Sequence, residues 1–596
     1  MNANPIKLLY RKLICFILII AVISITSSGC MIPGIGGDSH NPQASSDFAA
    51  ICSDMTTYIL SQDGITCNYN VMNAENYIKG ERPSTLGSYS PDKADSEYTF
   101  LENTLSLLKE IKRGSLTEKE QLTYDALVGT LENALELGQY SLYEEPLSPV
   151  SGIQSQLPVL LAEYHFYDAT YIDTYFSILR SVPDYFTQIL EFEKRKLENG
   201  LFMSSEQADV IIKQCSDFIA NPDDNYLIDV FDDKITQMEG ITPEQAEAYC
   251  DTNEDIIKNV LIPAYNNIIA SLNSMKSSAF TTRGMCMMNP SGDSTDKNGI
   301  EYYSLLFRQQ TNSAMTPDKA FEMLEDTLDK CKSDIAKALA KDSNIYDNLE
   351  MSVREDATAQ DILATLKQKI SDSYPALKTD SEITLKPVHS SLENSLSPAM
   401  YLTPPIDAAA SDCIYINNAS CTRSELFTTL AHEGYPGHLY QTRYFMESEP
   451  VQLRLIMNFP GYVEGWATYA ELDSYGFAGM DALKTSVLKN NKLALLCIYS
   501  MLDIGIHYMG WDITDCTRLL IENGIDDSTI AKEIFLSVAS EPALYPKYTI
   551  SCIEFLNMEQ YMRNRLGDKY DPVSFHKLIL DIGPIWFDVL WKKLKE

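Results

Sequence analysis

His432-Glu433-Gly434-Tyr435-Pro436-Gly437-His438 is the stretch on which the reading of this chain turns, and it holds two of only seven histidines. A histidine followed at once by glutamate near the end of a helix is how many zinc hydrolases open their metal site. The imidazole binds the ion and the carboxylate takes a proton from its water. In the common arrangement the second histidine comes four residues later, on the same helical face. Here His438 comes six after His432, and at about 100° per residue an unbroken helix points it elsewhere. Gly434, Pro436 and Gly437 are residue types that let a helix deform and return the second histidine to the first. The helix has a legible start. Thr422 and Glu425 form a capping box, Leu426, Phe427, Leu430 and Ala431 form an apolar face, and His432 and Glu433 fall near the third turn.

A zinc site needs a third protein ligand and keeps its fourth position for water. Twenty-six residues beyond His438 stands Glu464-Gly465-Trp466-Ala467-Thr468-Tyr469-Ala470-Glu471. It resembles the asparagine-glutamate-glycine-phenylalanine-alanine segment of zinc aminopeptidases, in which the glutamate is the third ligand on a second helix. Glu464 and Glu471 are seven apart and share a helical face. Glu464 is therefore expected as the ligand with Glu471 behind it; two solvated carboxylates on an amphipathic helix are the plain alternative.

The N-terminus sets the compartment. Lys7, Arg11 and Lys12 precede an apolar run from Leu13 to about Ile25, too short for a comfortable membrane span. Ser27-Ser28-Gly29-Cys30 resembles the box at which bacterial lipoproteins are cut and acylated. Residues 1–29 are read as a lipoprotein signal peptide, Cys30 as the lipid anchor, and 30–48 as a flexible tether. The expected location is the cell surface, with plain secretion as the alternative. Eighty-three acidic against 47 basic side chains speak against nucleic acid, which needs a dense basic face. Of the 13 cysteines none forms a CxxC pair, and Cys52 with Cys67 is the pair to test for a bridge.

Helical periodicity dominates. It predicts helices over 97–112, 119–139, 171–198 and 206–219, and one from Pro317 to about residue 341. Strand-like stretches are few: Ile383-Thr384-Leu385 and Cys413-Ile414-Tyr415-Ile416. The fold expected is mostly α with a small β-sheet beside the motif helix. It divides into an N-terminal helical lobe over about 49–380 and a zinc-site lobe over about 381–596. The strand at 413–417 is expected to offer its edge to an extended peptide.

The motif, with Leu439-Tyr440-Gln441 after it, resembles that of the bacterial family known as domain of unknown function 885. The resemblance takes in Leu147-Ser148-Pro149 with Gln154, Gly299-Ile300-Glu301-Tyr302-Tyr303, Glu464-Gly465-Trp466-Ala467, and Asp503-Ile504-Gly505-Ile506-His507 ending at Gly510-Trp511. It implies a two-lobed helical zincin-like metallopeptidase fold, similar to thimet oligopeptidase and the thermostable carboxypeptidases. Two departures stand out. Pro542-Ala543-Leu544 occupies the place of a proline-glycine-glutamine, with Ser551 where glycine is usual, and Tyr499 stands where arginine is common. Tyr548 is retained, and related peptidases use a tyrosine or histidine to hydrogen-bond the oxyanion; His507 is the second candidate. His40, His165, His389 and His576 receive no functional reading. The expectation is a zinc-dependent peptidase with Zn²⁺ on His432, His438 and Glu464, Glu433 as general base, and Tyr548 or His507 on the oxyanion. The alternatives are an inactive surface protein that binds peptides or a partner, and a zinc amidase acting on cell-wall peptide.

Overall fold

The computed structural model describes residues 41–288, 297–349, 351–379, 382–388, 397–408, 411–417 and 421–596. The signal peptide and Cys30 lie outside these residues, as do His40 and His389. The tether expected as far as residue 48 ends sooner, because a helix runs from Pro42 to Leu60. The Asn41-Pro42 pair that reads as linker is a helix start. Asn41 caps by accepting from the Gln43 N–H, and proline fills a first-turn position that has no use for an N–H.

Helices make up most of the described chain, and their starts follow local chemistry. Thr117 with Glu120, Ser204 with Gln207 and Thr422 with Glu425 open helices through reciprocal capping boxes. The longest, Thr170–Glu198, buries Tyr171, Tyr175, Ile178, Val182, Phe186 and Ile189 at three- and four-residue spacing. It is the centre of one core built from residues 65 to 272. The other large cores do not divide at residue 380. The core beneath the histidine motif takes Leu122 and Ala126 from the N-terminal part, and Leu363, Leu366, Trp466, Phe555 and Phe587 from later helices. A third joins Tyr303, Phe307 and Leu324 to Leu502, Ile504 and Ile550. A fourth packs Phe48, Cys52, Cys67 and Leu127 with Ile406 and Leu453, and leaves Cys52 and Cys67 as buried free thiols. Among the described residues no helix is long and apolar enough to cross a membrane.

The sheet has three strands, β1 (Glu382–Pro387), β2 (Ala399–Leu402) and β3 (Ser411–Ile416), in the order β1-β3-β2. β3 pairs parallel with β1 from Glu382↔Ser411 to Pro387↔Ile416, and antiparallel with β2 from Ala399↔Ile416 to Leu402↔Cys413. This corrects the expectation for residues 413–417: β3 is the central strand, bonded on both sides, and has no edge to offer. β2 went unread because four residues without alternation carry no strand signal. It is β2 that lies against the motif helix.

Candidate metal centre

The motif helix, Arg423–Glu433, ends at the glutamate of the motif. Gly434 N–H still reaches Leu430 O at 2.9 Å, but Gly437 N–H reaches back to Ala431 O at 2.9 Å, and a new helix runs from His438 to Glu447. The intervening turn contains a cis Tyr435–Pro436 bond. Gly437 is required by space: a Cβ there falls 1.8 Å from His432 O, which no side chain can accept. Trp466, fully buried, donates its indole N–H to Pro436 O at 2.9 Å and ties the turn to the helix Pro460–Ser474. The bend brings the His432 and His438 rings to 4.8 Å, close to perpendicular at 86°.

Glu464 completes the cluster. Its Oε2 lies 3.5 Å from both His432 Nε2 and His438 Nε2, and the three donor atoms all fall within 4.8 Å of one another. A tetrahedral zinc with bonds of about 2.0–2.2 Å sets its ligand atoms about 3.3–3.6 Å apart, and the two Glu464–imidazole separations fall in that range. Behind it, His432 Nδ1 faces Glu471 Oε2 at 3.5 Å, and Glu471 Oε1 meets Lys492 Nζ at 2.8 Å. A carboxylate behind a metal-binding imidazole orients the ring and raises its basicity. Burial disfavours charge on His432, but Glu464, Glu471 and Glu433 outweigh it and push its pKa up to about 10. Burial likewise opposes charge on Glu464, yet His432, His438 and Lys547 hold it well below the usual carboxylate range. The cluster thus attracts positive charge.

Glu433 sits beside this cluster on the last turn of the motif helix, and its Oε2 accepts the Tyr401 N–H of β2 at 2.9 Å. The strand is braced from below. Tyr401 Oη donates to Asp412 Oδ1 on β3 at 2.8 Å, and Arg443 of the His438 helix donates through Nε to Asp412 Oδ2 at 2.6 Å.

Tyr548 arrives on the helix Leu544–Leu566 and donates to Glu464 Oε1 at 3.3 Å. Burial first, then Glu464 and Glu433, raise its pKa well above the usual phenol value, so it stays a donor. The Glu464 and Tyr548 helices touch at Gly465, where a Cβ would fall 2.4 Å from Ser551 Cβ. The loop before the Tyr548 helix keeps a left-handed turn without glycine: Ala543 adopts φ +62°. Asp503 Oδ1 accepts the Ala543 N–H at 2.9 Å and Tyr303 Oη at 2.7 Å. Glu541 accepts Ser151 N–H at 2.8 Å, Ser151 Oγ at 2.6 Å, and Ser148 Oγ. Burial pushes the Asp503 and Glu541 pKa values each up to about 7. Tyr499, in the place of an arginine, is buried and stacks on Tyr545 with centroids 4.7 Å apart.

His507 is not brought to the cluster, which corrects the expectation that it faces an oxyanion. Its Nδ1 accepts from Met285 N–H at 3.3 Å and its Nε2 donates to Val538 O at 2.9 Å. Burial lowers its pKa to about 4. A neutral imidazole with both nitrogens committed to backbone has no proton left to offer. His576 is likewise a core residue, between Ser373 O at 2.7 Å and Tyr469 Oη at 2.8 Å. Lys492, Lys547 and the Tyr401 N–H are the contributors that the sequence did not reveal. The two lysines sit in helices where a charged residue ordinarily faces solvent, and a backbone N–H has no residue signature.

The fold has solved counterparts. The chain superimposes on a “putative lipoprotein” from Colwellia psychrerythraea with a TM-score of 0.79 at 17% identity, covering 93% of this chain and 98% of that one. A “putative lipoprotein of unknown function” from Shewanella oneidensis gives 0.65 at 14% identity, covering 93% and 100%. At these identities the likeness is one of fold. A “putative oligoendopeptidase F” from Bacillus anthracis str. Ames gives 0.27 at 11% identity, covering 88% and 94%, and no shared architecture is read from it. No curated protein matches the chain. Residues 76–594 match the family described as bacterial protein of unknown function (DUF885), and the chain belongs to that family.

Proposed function

We propose that the protein is an extracytoplasmic zinc-dependent peptidase held at the cell surface by a lipid on Cys30. The observation that carries the reading is the convergence of His432, His438 and Glu464 from three helices, with Glu433 next to a ligand. Two imidazoles and a carboxylate suit zinc and leave a position for water. Zinc, when bound, supplies Lewis acidity that acidifies water and polarises a carbonyl. Glu433 acts as general base, taking the proton of the attacking water and passing it to the leaving amine. The Tyr401 N–H fixes one of its oxygens for that task. Tyr548 donates to the oxyanion as it develops. The edge of β2 turned away from β3 lies alongside the base and receives the peptide. In an antiparallel strand a residue's N–H and C=O point the same way, so the Tyr401 C=O lies on the same edge as the N–H that Glu433 holds, and pairing to that carbonyl runs a substrate past the base. The two structural counterparts titled as lipoproteins support the anchor.

The test is Glu433→Gln. Zinc content stays that of the wild type, while cleavage of a mixed peptide library falls by about 10²–10⁴-fold; unchanged turnover would sink the assignment. A zinc-loaded wild type that binds library peptides without cutting them would favour a surface binding protein. Cleavage of purified cell-wall fragments alone would favour an amidase.

A further inference from the structure

We propose that Lys547 binds a carboxylate of the substrate, so that the site selects peptides with a negative charge close to the scissile bond. The inference rests on the peptidase reading above. Lys547 lies in the first turn of the helix Leu544–Leu566, beside Tyr548. Its side chain is only 16% exposed, and its ammonium stands 3.9 Å from Glu464 Oε1 and 4.9 Å from the centre of the Tyr548 ring. At 3.9 Å it is beyond hydrogen-bonding reach, and among the described residues no acceptor takes its protons.

The other interior lysines are treated differently. Lys492 Nζ meets Glu471 Oε1 at 2.8 Å. Lys196 Nζ meets Glu145 Oε2 at 2.7 Å and donates to Glu144 O at 2.8 Å. A charge held largely out of water costs stability unless a partner and hydrogen bonds repay it, and Lys547 lacks the hydrogen bonds. Neither nearby carboxylate is placed to supply them. Glu464 turns Oε2 to the two imidazoles and receives Tyr548 Oη on Oε1. The oxygens of Glu541 are taken by Ser148 and Ser151. Lys547 and Tyr548 thus converge on the same oxygen of a metal ligand, the tyrosine as the donor for the reacting carbonyl and the lysine as a cation beside it. A charge-assisted bond to a carboxylate is the strongest use of such a group. That carboxylate comes from a free C-terminus or from an aspartate or glutamate side chain, and the test separates the two.

Binding is measured by calorimetry on the zinc-loaded Glu433→Gln protein, which holds peptide without consuming it. Three kinds of pentapeptide are used: a neutral one with a free C-terminus, the same one amidated, and an amidated series carrying a glutamate in turn at each position. Adding Lys547→Gln weakens at least one carboxylate-bearing peptide tenfold or more and leaves the amidated neutral peptide within twofold, while Lys547→Arg restores most of the loss. The peptide affected names the source of the carboxylate. In the cleaving enzyme Lys547→Gln acts on KM more than on kcat for that peptide. A loss equal across all three peptides, or none, overturns the proposal while leaving the peptidase reading intact. If the zinc-loaded wild type neither binds nor cleaves any of them, the peptidase reading fails and this proposal with it.

Discussion

The two flanks of the His432–His438–Glu464 cluster are built on opposite principles. On the histidine flank the shape is set by backbone and by the absence of a side chain: two short helices meet at a turn where Gly437 leaves 1.8 Å between a hypothetical Cβ and His432 O. On the tyrosine flank the loop before Tyr548 does without glycine. Ala543 sits at φ +62° and is held by buried carboxylates, Asp503 from the helix Ala482–His507 and Glu541 pinned by Ser148 and Ser151. The first flank is shaped by residues within six positions of each other and tied from a distance by the Trp466 indole. The second is specified by contacts that span 40 and about 390 positions, and it carries both backbone strain and charge in the interior. The lesson is that the bend carrying the two histidines is locally encoded, whereas Glu464 and the Tyr548 donor opposite it are placed by tertiary contacts.

The largest effect comes from breaking the local flank. Gly437→Ala forces the turn open, because the clash is with backbone and no rotamer relieves it. The expected result is loss of stoichiometric zinc binding in metal analysis, with helical circular dichroism retained, while Gly434 to His438 is otherwise unchanged in sequence.

The tyrosine flank responds to pH instead. Burial penalises the charge of Asp503 and pushes its pKa up to about 7, from an ordinary carboxylate value of 3.8. Between about pH 4 and about pH 7 the folded state therefore holds a proton that the unfolded state has released, and stability falls as pH rises through that window. Asparagine keeps an oxygen for the Ala543 N–H and Tyr303 hydroxyl without that penalty. Urea unfolding at pH 5 and pH 7.5 should show Asp503→Asn gaining on the wild type at the higher pH; a pH-independent difference would remove the buried-charge account.

The smallest effect is a gain. Ala543→Gly relieves a left-handed alanine worth about 1–2 kcal/mol and returns about 0.4–1 kcal/mol to unfolded-chain entropy. A net stabilisation of about 0.5–1 kcal/mol is expected in denaturant titrations. A loss would mean that the alanine methyl, fully buried in the third core, contributes more than the turn costs.

Much of this was legible because much of it is local. The helix Pro317–Lys341 begins at its proline and ends where the periodicity ends, and Thr422 with Glu425 locates the start of the motif helix. Glu464 and Glu471 share a face and both reach His432. What was not legible depends on distant partners. The central position of β3 depends on β2, whose four residues lack a pattern. The fate of His507 depends on Met285 and Val538, 222 and 31 residues away. The Asn41-Pro42 start was hidden because the same pair ends a linker as readily as it opens a helix.

The Asp412 brace has a consequence for how the site is assembled. Arg443 rides on the helix that begins with His438, and Tyr401 sits on the strand that offers its N–H to Glu433; both hold the same carboxylate. On the proposed reading, an ion seated against His438 and a peptide seated along β2 would act on one shared element. On the proposed reading the two occupancies are reciprocal: whatever factor by which the ion tightens the peptide, the peptide tightens the ion. Such a site would hold its metal most firmly while it is working.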